Sequence, residues 1–159
     1  MAIANIADVK LLAALYSILG EGAPTTSTAG IVGDIYLDID QDSATYGKTY
    51  LMTGLAETAY TWIADVWQDT SITRMITRAE QDYLQIRGRE FETDDYGAVV
   101  YPDGADIVGA EMACYLLGLY EGRGLASGSI GGKSSTYEKK IAGYPVSIVG
   151  QIDRYVGVG

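Results

Sequence analysis

The longest apolar pattern in the chain runs from Pro102 to Tyr120, and its spacing predicts a helix. Pro102 and Asp103 stand where helices begin, and apolar residues then recur every three or four positions. They are Val108, Met112, Tyr115, Leu116 and Leu119, widened by Ile107, Ala110, Ala113, Cys114 and Leu117. A helix that is apolar on most sides must be covered on most sides. It is therefore either the central helix of a small domain or a helix shared with a neighbouring subunit.

Three other segments have helical periodicity. Residues 6–19 place Leu11, Leu12, Leu15, Ile18 and Leu19 on one face. Residues 71–88 form a stripe of Ile72, Ile76, Ala79, Tyr83 and Ile86, which Gly88 is placed to end. Pro145 opens a last short helix with Ile148, Ile152, Tyr155 and Val156 on one side.

Between residues 33 and 67 the period changes to two, which predicts strands. Residues 33–40, 48–53 and 60–67 are the three candidates, separated by turn-like segments. They predict a three-stranded antiparallel meander. A sheet this small needs a partner surface. Residues 23–30 have the composition of a linker, residues 89–101 that of a loop, and the Gly/Ser-rich residues 122–136 that of a flexible loop.

Composition argues against an enzyme. The chain has no His and one Cys, which removes Ser–His and Cys–His pairs, a His general base and Cys/His zinc sites. The net charge is −10. Residues 1–69 hold nine acids and two bases (−7), and residues 70–159 hold twelve acids and nine bases (−3). Such a chain does not bind nucleic acid through its overall field. No apolar run reaches membrane-spanning length.

Two motifs imitate ligand sites and fail in detail. Residues 128–134 resemble a phosphate-binding loop, but Ser127 stands where the first Gly is needed, and a helix precedes them instead of a strand. Asp38, Asp40 and Asp42 imitate the start of a calcium loop, whose sixth and twelfth positions are here Ser and Thr. We therefore expect no cofactor and no metal. A nucleotide-dependent packaging factor is the least favoured hypothesis.

Several separated motifs occur in a fixed order in the second half of the chain: QIRG at 85–88, YPDG at 101–104 and IAGYP at 141–145. With the longer runs around them, they make residues 71–156 resemble the head–tail connector, or adaptor, proteins of tailed bacteriophages. Residues 30–67, in which GDIYLD leads through a turn to GKTY and a Trp, resemble short modules of phage fibre and other virion surface proteins.

The resemblance implies an α+β fold: a small, mainly helical connector core with an inserted three-stranded antiparallel β module near the N-terminus. Residues 1–22 would be an N-terminal helix, either part of the core, which we favour, or an arm. Residues 23–69 would be the acidic β-meander insertion. Residues 70–159 would be the helical connector core.

The function that the resemblance implies is structural. The chain would form a ring, usually dodecameric, that docks under the portal protein, extends the DNA channel and meets the next neck or tail-completion protein. It would enclose DNA without sequence-specific binding, and it would contact no membrane. It would be made in the host cytoplasm and lie in the virion neck. The β module would contact a fibre or the capsid, and the alternative is a head-fibre or decoration protein of the capsid.

The candidate interface residues are Arg87, Arg89, Tyr144, Arg154 and Tyr155. The two arginines Arg87 and Arg89 would form intersubunit ion pairs with the acids of residues 90–95, or would be solvated. The tyrosines would contact a neighbouring subunit, or would pack inside their own.

Overall fold

The computed structural model describes residues 2–64, 67–119, 125–128, 135–137 and 139–153. The chain forms two compact units. We call residues Asn5–Arg74 the N-terminal module, and Met1–Ala4 together with Met75–Gly159 the C-terminal unit. Each unit is described by itself.

The N-terminal module is built on a four-stranded sheet. Its strands are β1 (Ile18–Gly20), β2 (Ile35–Asp38), β3 (Thr49–Ala56) and β4 (Ala59–Ala64), in the order β1-β2-β3-β4. Strand β1 runs parallel to β2, and the other neighbours are antiparallel. The prediction of a mainly helical core with a three-stranded antiparallel module is therefore wrong, because the sheet is mixed and has a fourth strand.

The extra strand comes from the segment predicted as one helix over residues 6–19. Helix α1 covers only Ile6–Leu12, and Ala14 then adopts a left-handed conformation with φ of 51°. Strand β1 follows, with Ile18 opposite Tyr36 of β2. A short apolar run suits either a helix or a buried strand, so pairing with a distant strand decides the outcome. Moreover, α1 belongs to the N-terminal module, and only residues 1–4 belong to the C-terminal unit.

One face of the sheet is packed with aromatic side chains. Tyr36 makes edge-on contacts with Trp62 (ring centroids 5.7 Å apart) and Tyr50 (6.4 Å), and its hydroxyl donates to the Gly22 carbonyl. Gly20 is required beside this ring, because a Cβ there would lie 1.9 Å from the Tyr36 hydroxyl oxygen. The aromatic cluster therefore fixes the approach of β1 to β2.

A buried lysine joins α1 to the sheet. Lys10 is fully buried, and its ammonium group donates to the Gly47 carbonyl (2.8 Å), Thr49 Oγ1 (3.1 Å) and Asp69 Oδ1 (2.5 Å). A buried charge is tolerated only when it is paired and hydrogen-bonded, and this one has both kinds of partner. Lys10 thus holds α1, the start of β3 and the first turn of α2 together.

A buried aspartate organises the loop between β2 and β3. Asp38 accepts hydrogen bonds from the backbone N–H groups of Gly22 and Asp40 and from the hydroxyls of Ser43 and Thr45. Burial opposes ionisation, but these hydrogen bonds outweigh it and hold the pKa of Asp38 below its ordinary value. The acid that imitated a calcium ligand is therefore a structural centre of the module.

The C-terminal unit combines helices with short pairs of strands. Helix α2 runs from Trp67 to Arg87, its first residues belonging to the N-terminal module, and it covers the predicted segment 71–88 except for the last residue. The remaining elements are β5 (Glu92–Thr93), β6 (Val99–Val100), α3 (Ala105–Leu116), β7 (Leu125–Gly128), β8 (Ser135–Tyr137), β9 (Lys140–Ile141), β10 (Tyr144–Pro145) and α4 (Val146–Val149). The strand pairs β5–β6, β7–β8 and β9–β10 are antiparallel.

Two segments that the sequence predicts to be loops contain strands. The predicted loop 89–101 holds the β5–β6 hairpin, and the Gly/Ser-rich segment 122–136 holds β7 and most of β8. Residues 122–124 and 129–134 lie outside the described residues, as does most of the motif that imitates a phosphate loop. Two-residue strands leave almost no alternating pattern, so the sequence could not reveal them.

The apolar helix α3 is covered mostly by its own chain. Seven of its twelve residues are buried: Ala105, Val108, Gly109, Ala110, Met112, Ala113 and Cys114. Ile3 packs against Gly109, where an added Cβ would lie 2.8 Å from Ile3 Cγ2. Ile107, with 62% of its surface exposed, is the clearest apolar residue left on the outside. Of the two interpretations of this helix, the structure favours the central helix of a small domain.

Candidate assembly surfaces

Helix α2 carries two different sets of side chains on opposite sides within the C-terminal unit. At about 100° per residue, Arg78 lies roughly 140–180° around the helix axis from Glu80, Tyr83 and Arg87. Ile76, Ala79 and Tyr83 are buried and form the stripe of α2 that packs against the rest of the unit. Polar side chains lie on either side of this stripe, Asp82 on one side and Glu80 on the other.

On the first side, Asp82 connects a tyrosine to an arginine. The Tyr144 hydroxyl donates to Asp82 Oδ2 at 2.6 Å, and Arg78 Nε donates to the same oxygen at 3.0 Å. Tyr144 is buried, on strand β10. Burial, and then the hydrogen bond to Asp82, raises the pKa of Tyr144 far above its ordinary value. Tyr144 therefore stays a neutral hydrogen-bond donor, with no role as an acid or base near neutral pH.

Two cations border this cluster. The Arg78 side chain is 63% exposed. The ammonium group of the exposed Lys140 lies 5.6 Å from the centre of the Tyr115 ring, which itself lies 5.7 Å from the Tyr144 ring. The contacts run without a break from Arg78 through Asp82, Tyr144 and Tyr115 to Lys140. We call the pair Arg78 and Lys140 the basic rim.

On the second side, the hairpin of residues 90–100 projects an acidic surface. It contains Glu90, Glu92, Asp94 and Asp95 and no Lys or Arg. Every residue from 92 to 100 is exposed, including Val99, Val100 and the tip residue Tyr96, which is 95% exposed. We call residues 90–100 the acidic hairpin.

The tip of the acidic hairpin is held in one shape. Asp94 Oδ1 accepts from the backbone N–H groups of Tyr96 and Ala98, both at 2.9 Å. Gly97 supplies the left-handed residue of the turn, with φ of 80°. A two-stranded hairpin is marginal alone, so these side-chain bonds matter for its order.

The base of the acidic hairpin is held by aromatic rings and a buried arginine. Phe91 packs against Tyr83 (5.6 Å between centroids) and Tyr101 (4.8 Å), and the Arg87 guanidinium lies 5.5 Å from the Phe91 centroid. Arg87 Nη1 donates to the Glu90 carbonyl at 3.3 Å.

Tyr101 ties this base to α2. Its hydroxyl donates to Glu80 Oε1 at 3.0 Å. Burial and this hydrogen bond raise the pKa of Tyr101 to about 12, so it remains a phenol. The hairpin is thereby anchored to the side of α2 that faces away from Arg78.

The structure separates the residues that the sequence grouped as interface candidates. Arg87 and Tyr144 are buried within the C-terminal unit, and Arg89 is exposed and bonded to Asp153 at 3.1 Å. Arg154 and Tyr155 lie outside the described residues. Within the chain, Arg87 contacts the Glu90 carbonyl and the Phe91 ring, and Arg89 pairs with Asp153, while pairing of these arginines with the acids of 90–95 of a neighbouring subunit stays a prediction.

Sequence reasoning missed the basic rim. The four-residue spacing of Arg78 and Asp82 was a usable signal, since such pairs meet on a helix surface. Lys140 gave no local signal, because its place depends on the packing of Tyr115 against Tyr144.

In the described ranges of the chain the cysteine is enclosed and the possible metal ligands are not clustered. In those ranges no three His, Cys, Asp or Glu side chains are grouped to hold a metal ion. Cys114 is buried, and burial, with Glu111 nearby, raises the pKa of its thiol to about 11, which disfavours the reactive thiolate. No helix in these ranges is both long and apolar enough to cross a bilayer.

Comparisons of the chain with protein family models, with curated proteins and with solved structures find no match.

Replacing Tyr144 by phenylalanine is expected to lower the free energy of unfolding by about 2 kcal/mol, because a hydrogen bond to a charged acceptor is lost in a buried site. Urea unfolding of the full chain, followed by circular dichroism, measures this. Tyr96→Phe is the matched control: its ring is exposed, and its change should stay within about 0.5 kcal/mol. Equal effects of the two substitutions would contradict the assigned role of the Tyr144 hydroxyl.

Proposed function

We propose that the protein is a structural virion subunit, a head–tail adaptor that forms a ring under the portal, extends the DNA channel and joins the head to the neck or tail. The observation that carries this proposal is the match between two independent boundaries. The resemblance to connector proteins covers residues 71–156, and the C-terminal unit covers Met75–Gly159 with the first four residues. The segments with connector motifs thus belong to one compact unit.

The exposed sides of that unit also suit a ring. A closed ring uses heterologous contacts, in which one flank of a subunit meets a different flank of the next. The acidic hairpin and the basic rim are two unlike surfaces anchored on opposite sides of α2, and a chain with a single self-complementary surface would favour a dimer instead.

The charge of the chain supports a passive role toward DNA. A net charge of −10 repels phosphate, so a channel formed by such subunits would enclose DNA without holding it. This favours passage of the genome over sequence-specific binding.

The N-terminal module is proposed to contact another virion component, such as a fibre or the capsid. It forms a compact unit of its own. Its turn at residues 31–34 is fixed by Asp34, whose carboxylate accepts from Ile31 N–H, and it exposes Ile31 (73%) and Val32 (68%). Two adjacent exposed apolar residues on a fixed turn suit a docking contact.

The test of the adaptor proposal is assembly. The purified full chain, alone and mixed with the portal protein, is analysed by mass photometry and negative-stain microscopy, with portal alone as the control. We expect closed rings, free or attached to the portal. Monomers in both samples would overturn the proposal.

The second candidate is a head-fibre or decoration protein of the capsid. The compact N-terminal module favours it, with a pocket of about 200 Å³ lined by Pro24, Thr25, Thr26, Tyr60, Thr61 and Trp62. A density map of the virion decides between the two: density for this chain on the capsid shell away from the neck selects the second.

A further inference from the structure

The acidic hairpin and the basic rim carry complementary charge. The hairpin has four acids and no base, and its strand β6 adds Val99 and Val100, which are 41% and 47% exposed. The basic rim has two exposed cations, of which Lys140 lies over the half-buried ring of Tyr115 and Arg78 is bonded to Asp82. Each surface therefore combines charge with apolar area, and the signs are opposite.

The base of the acidic hairpin is anchored on the side of α2 that faces away from Arg78. It is fixed to α2 through Tyr101 and Glu80 and through Phe91 and Tyr83. Arg78 lies on the other side of the same helix, roughly 140–180° around its axis. The side of α2 that holds the hairpin base is therefore not the side that carries Arg78, which leaves the hairpin free to meet the rim of another molecule.

We propose that the acidic hairpin of one copy docks on the basic rim, Arg78 and Lys140, of the next copy. This inference rests on the proposed ring and names the contact that builds it. The partner is a second copy of this chain because a copy supplies both charges, and because docking one flank on the other repeats around a ring. Electrostatic matching sets the orientation of neighbours, and it weakens as salt screens the exposed charges.

The experiment uses two charge-reversed variants of the full chain. One carries Glu90→Lys, Glu92→Lys and Asp95→Lys on the hairpin, which changes its net charge from −4 to +2 and keeps Asp94 in the turn, and the other carries Arg78→Glu and Lys140→Glu on the rim. Each alone brings like charges together in every contact, so we expect at least a tenfold loss of rings by mass photometry at a protein concentration where the wild type assembles. Circular dichroism shows that each variant is folded.

Mixing the two variants provides the decisive measurement. The lysine-bearing hairpin then meets the glutamate-bearing rim, and the unchanged hairpin meets the unchanged rim, so every contact in an alternating ring is matched. We expect the equimolar mixture to form rings as the wild type does. Lys140→Glu alone, which leaves the bond between Arg78 and Asp82 intact, serves as the rim variant if the double rim variant does not fold.

The controls are Lys48→Glu and Glu57→Lys, which reverse exposed charges in the N-terminal module and should leave assembly unchanged. If the wild type forms rings, two results would overturn the docking inference and leave the adaptor proposal standing. The first is that either folded variant forms rings as well as the wild type does, and the second is that mixing the two variants does not restore rings. Absence of wild-type rings, even with portal, would overturn both.

Discussion

Replacing Asp38 by alanine is expected to destabilise the N-terminal module by at least about 3 kcal/mol, because hydrogen bonds to a charged group contribute about 1.5–3 kcal/mol each. Four donors lose their acceptor together: two backbone N–H groups and the hydroxyls of Ser43 and Thr45. Since a whole domain is stable by only about 5–15 kcal/mol, this loss is large.

Trp62 reports the change directly. Its indole donates to the Thr28 carbonyl and packs against Tyr36, so its fluorescence follows the module. In a Trp67→Phe background Trp62 is the only tryptophan of the full chain, and its urea unfolding curve gives the free energy. Asp42→Ala, an exposed acid of the same loop, is the control. A midpoint for Asp38→Ala that matches the control would contradict the structural role.

The same carboxylate gives a pH dependence with a definite sign. The pKa of Asp38 is lower in the folded chain than its ordinary value of about 3.9. Its contribution to stability is therefore complete above about pH 4 and is lost as the pH falls through the folded pKa. Acid unfolding followed by Trp62 should show this loss, and in Asp38→Asn the module should lose that part of its pH dependence.

Replacing Lys10 by alanine is expected to cost about 3–5 kcal/mol, because it removes one partner of a buried ion pair and leaves the other without its counter-charge. The Gly47 carbonyl and the Thr49 hydroxyl also lose their donor. Urea unfolding followed by the fluorescence of Trp62 measures the loss. The control is Lys48→Ala, at an exposed lysine between Gly47 and Thr49, which should change the free energy of unfolding by no more than about 0.5 kcal/mol.

A double-mutant cycle isolates the pair itself. Lys10→Met, Asp69→Asn and the double variant give the coupling energy between the ammonium and carboxylate groups. At 1 M salt the Debye length is about 3 Å, so interactions between exposed charges are strongly screened. Because Lys10 is fully buried and the Asp69 side chain is 21% exposed, we expect most of their coupling energy to persist at this salt concentration. A coupling near zero would mean that Lys10 acts only through its apolar stem and its neutral acceptors.

The sequence predicted the parts of the fold whose signal is local. Helix α3 and strand β2 lie within the segments that periodicity indicated, and α2, β3 and β4 overlap theirs but extend beyond them at one end. In these segments the spacing of apolar residues repeats over several turns or strand positions, and each repeat adds to the same signal. Strand β1 was not predicted, because three residues are too few to show an alternating pattern. Its extended conformation also depends on pairing with β2, which begins fifteen residues after the end of β1.

The candidate surfaces were predictable only in part. The acids of residues 90–95 were visible as a cluster, but the turn that presents them and the aromatic base that holds them were not. Arg87 and Tyr144 were candidate interface residues and are buried within the unit, which for Tyr144 is one of the two placements that the sequence left open. Arginine and tyrosine combine a long apolar body with a polar end and suit either place.

The sequence by itself determined the approximate positions of α2, α3 and β2 to β4, that the chain lacks His-dependent chemistry, and where its acidic charge lies. Tertiary structure alone decided which polar groups are buried and what they bind. Lys10 meets Asp69 across 59 residues, and Tyr144 meets Asp82 across 62. The physical reason is that periodicity records the burial of a face, which is a local property. A hydrogen bond between two buried side chains depends instead on the positions of both, and those positions exist only once the chain is folded.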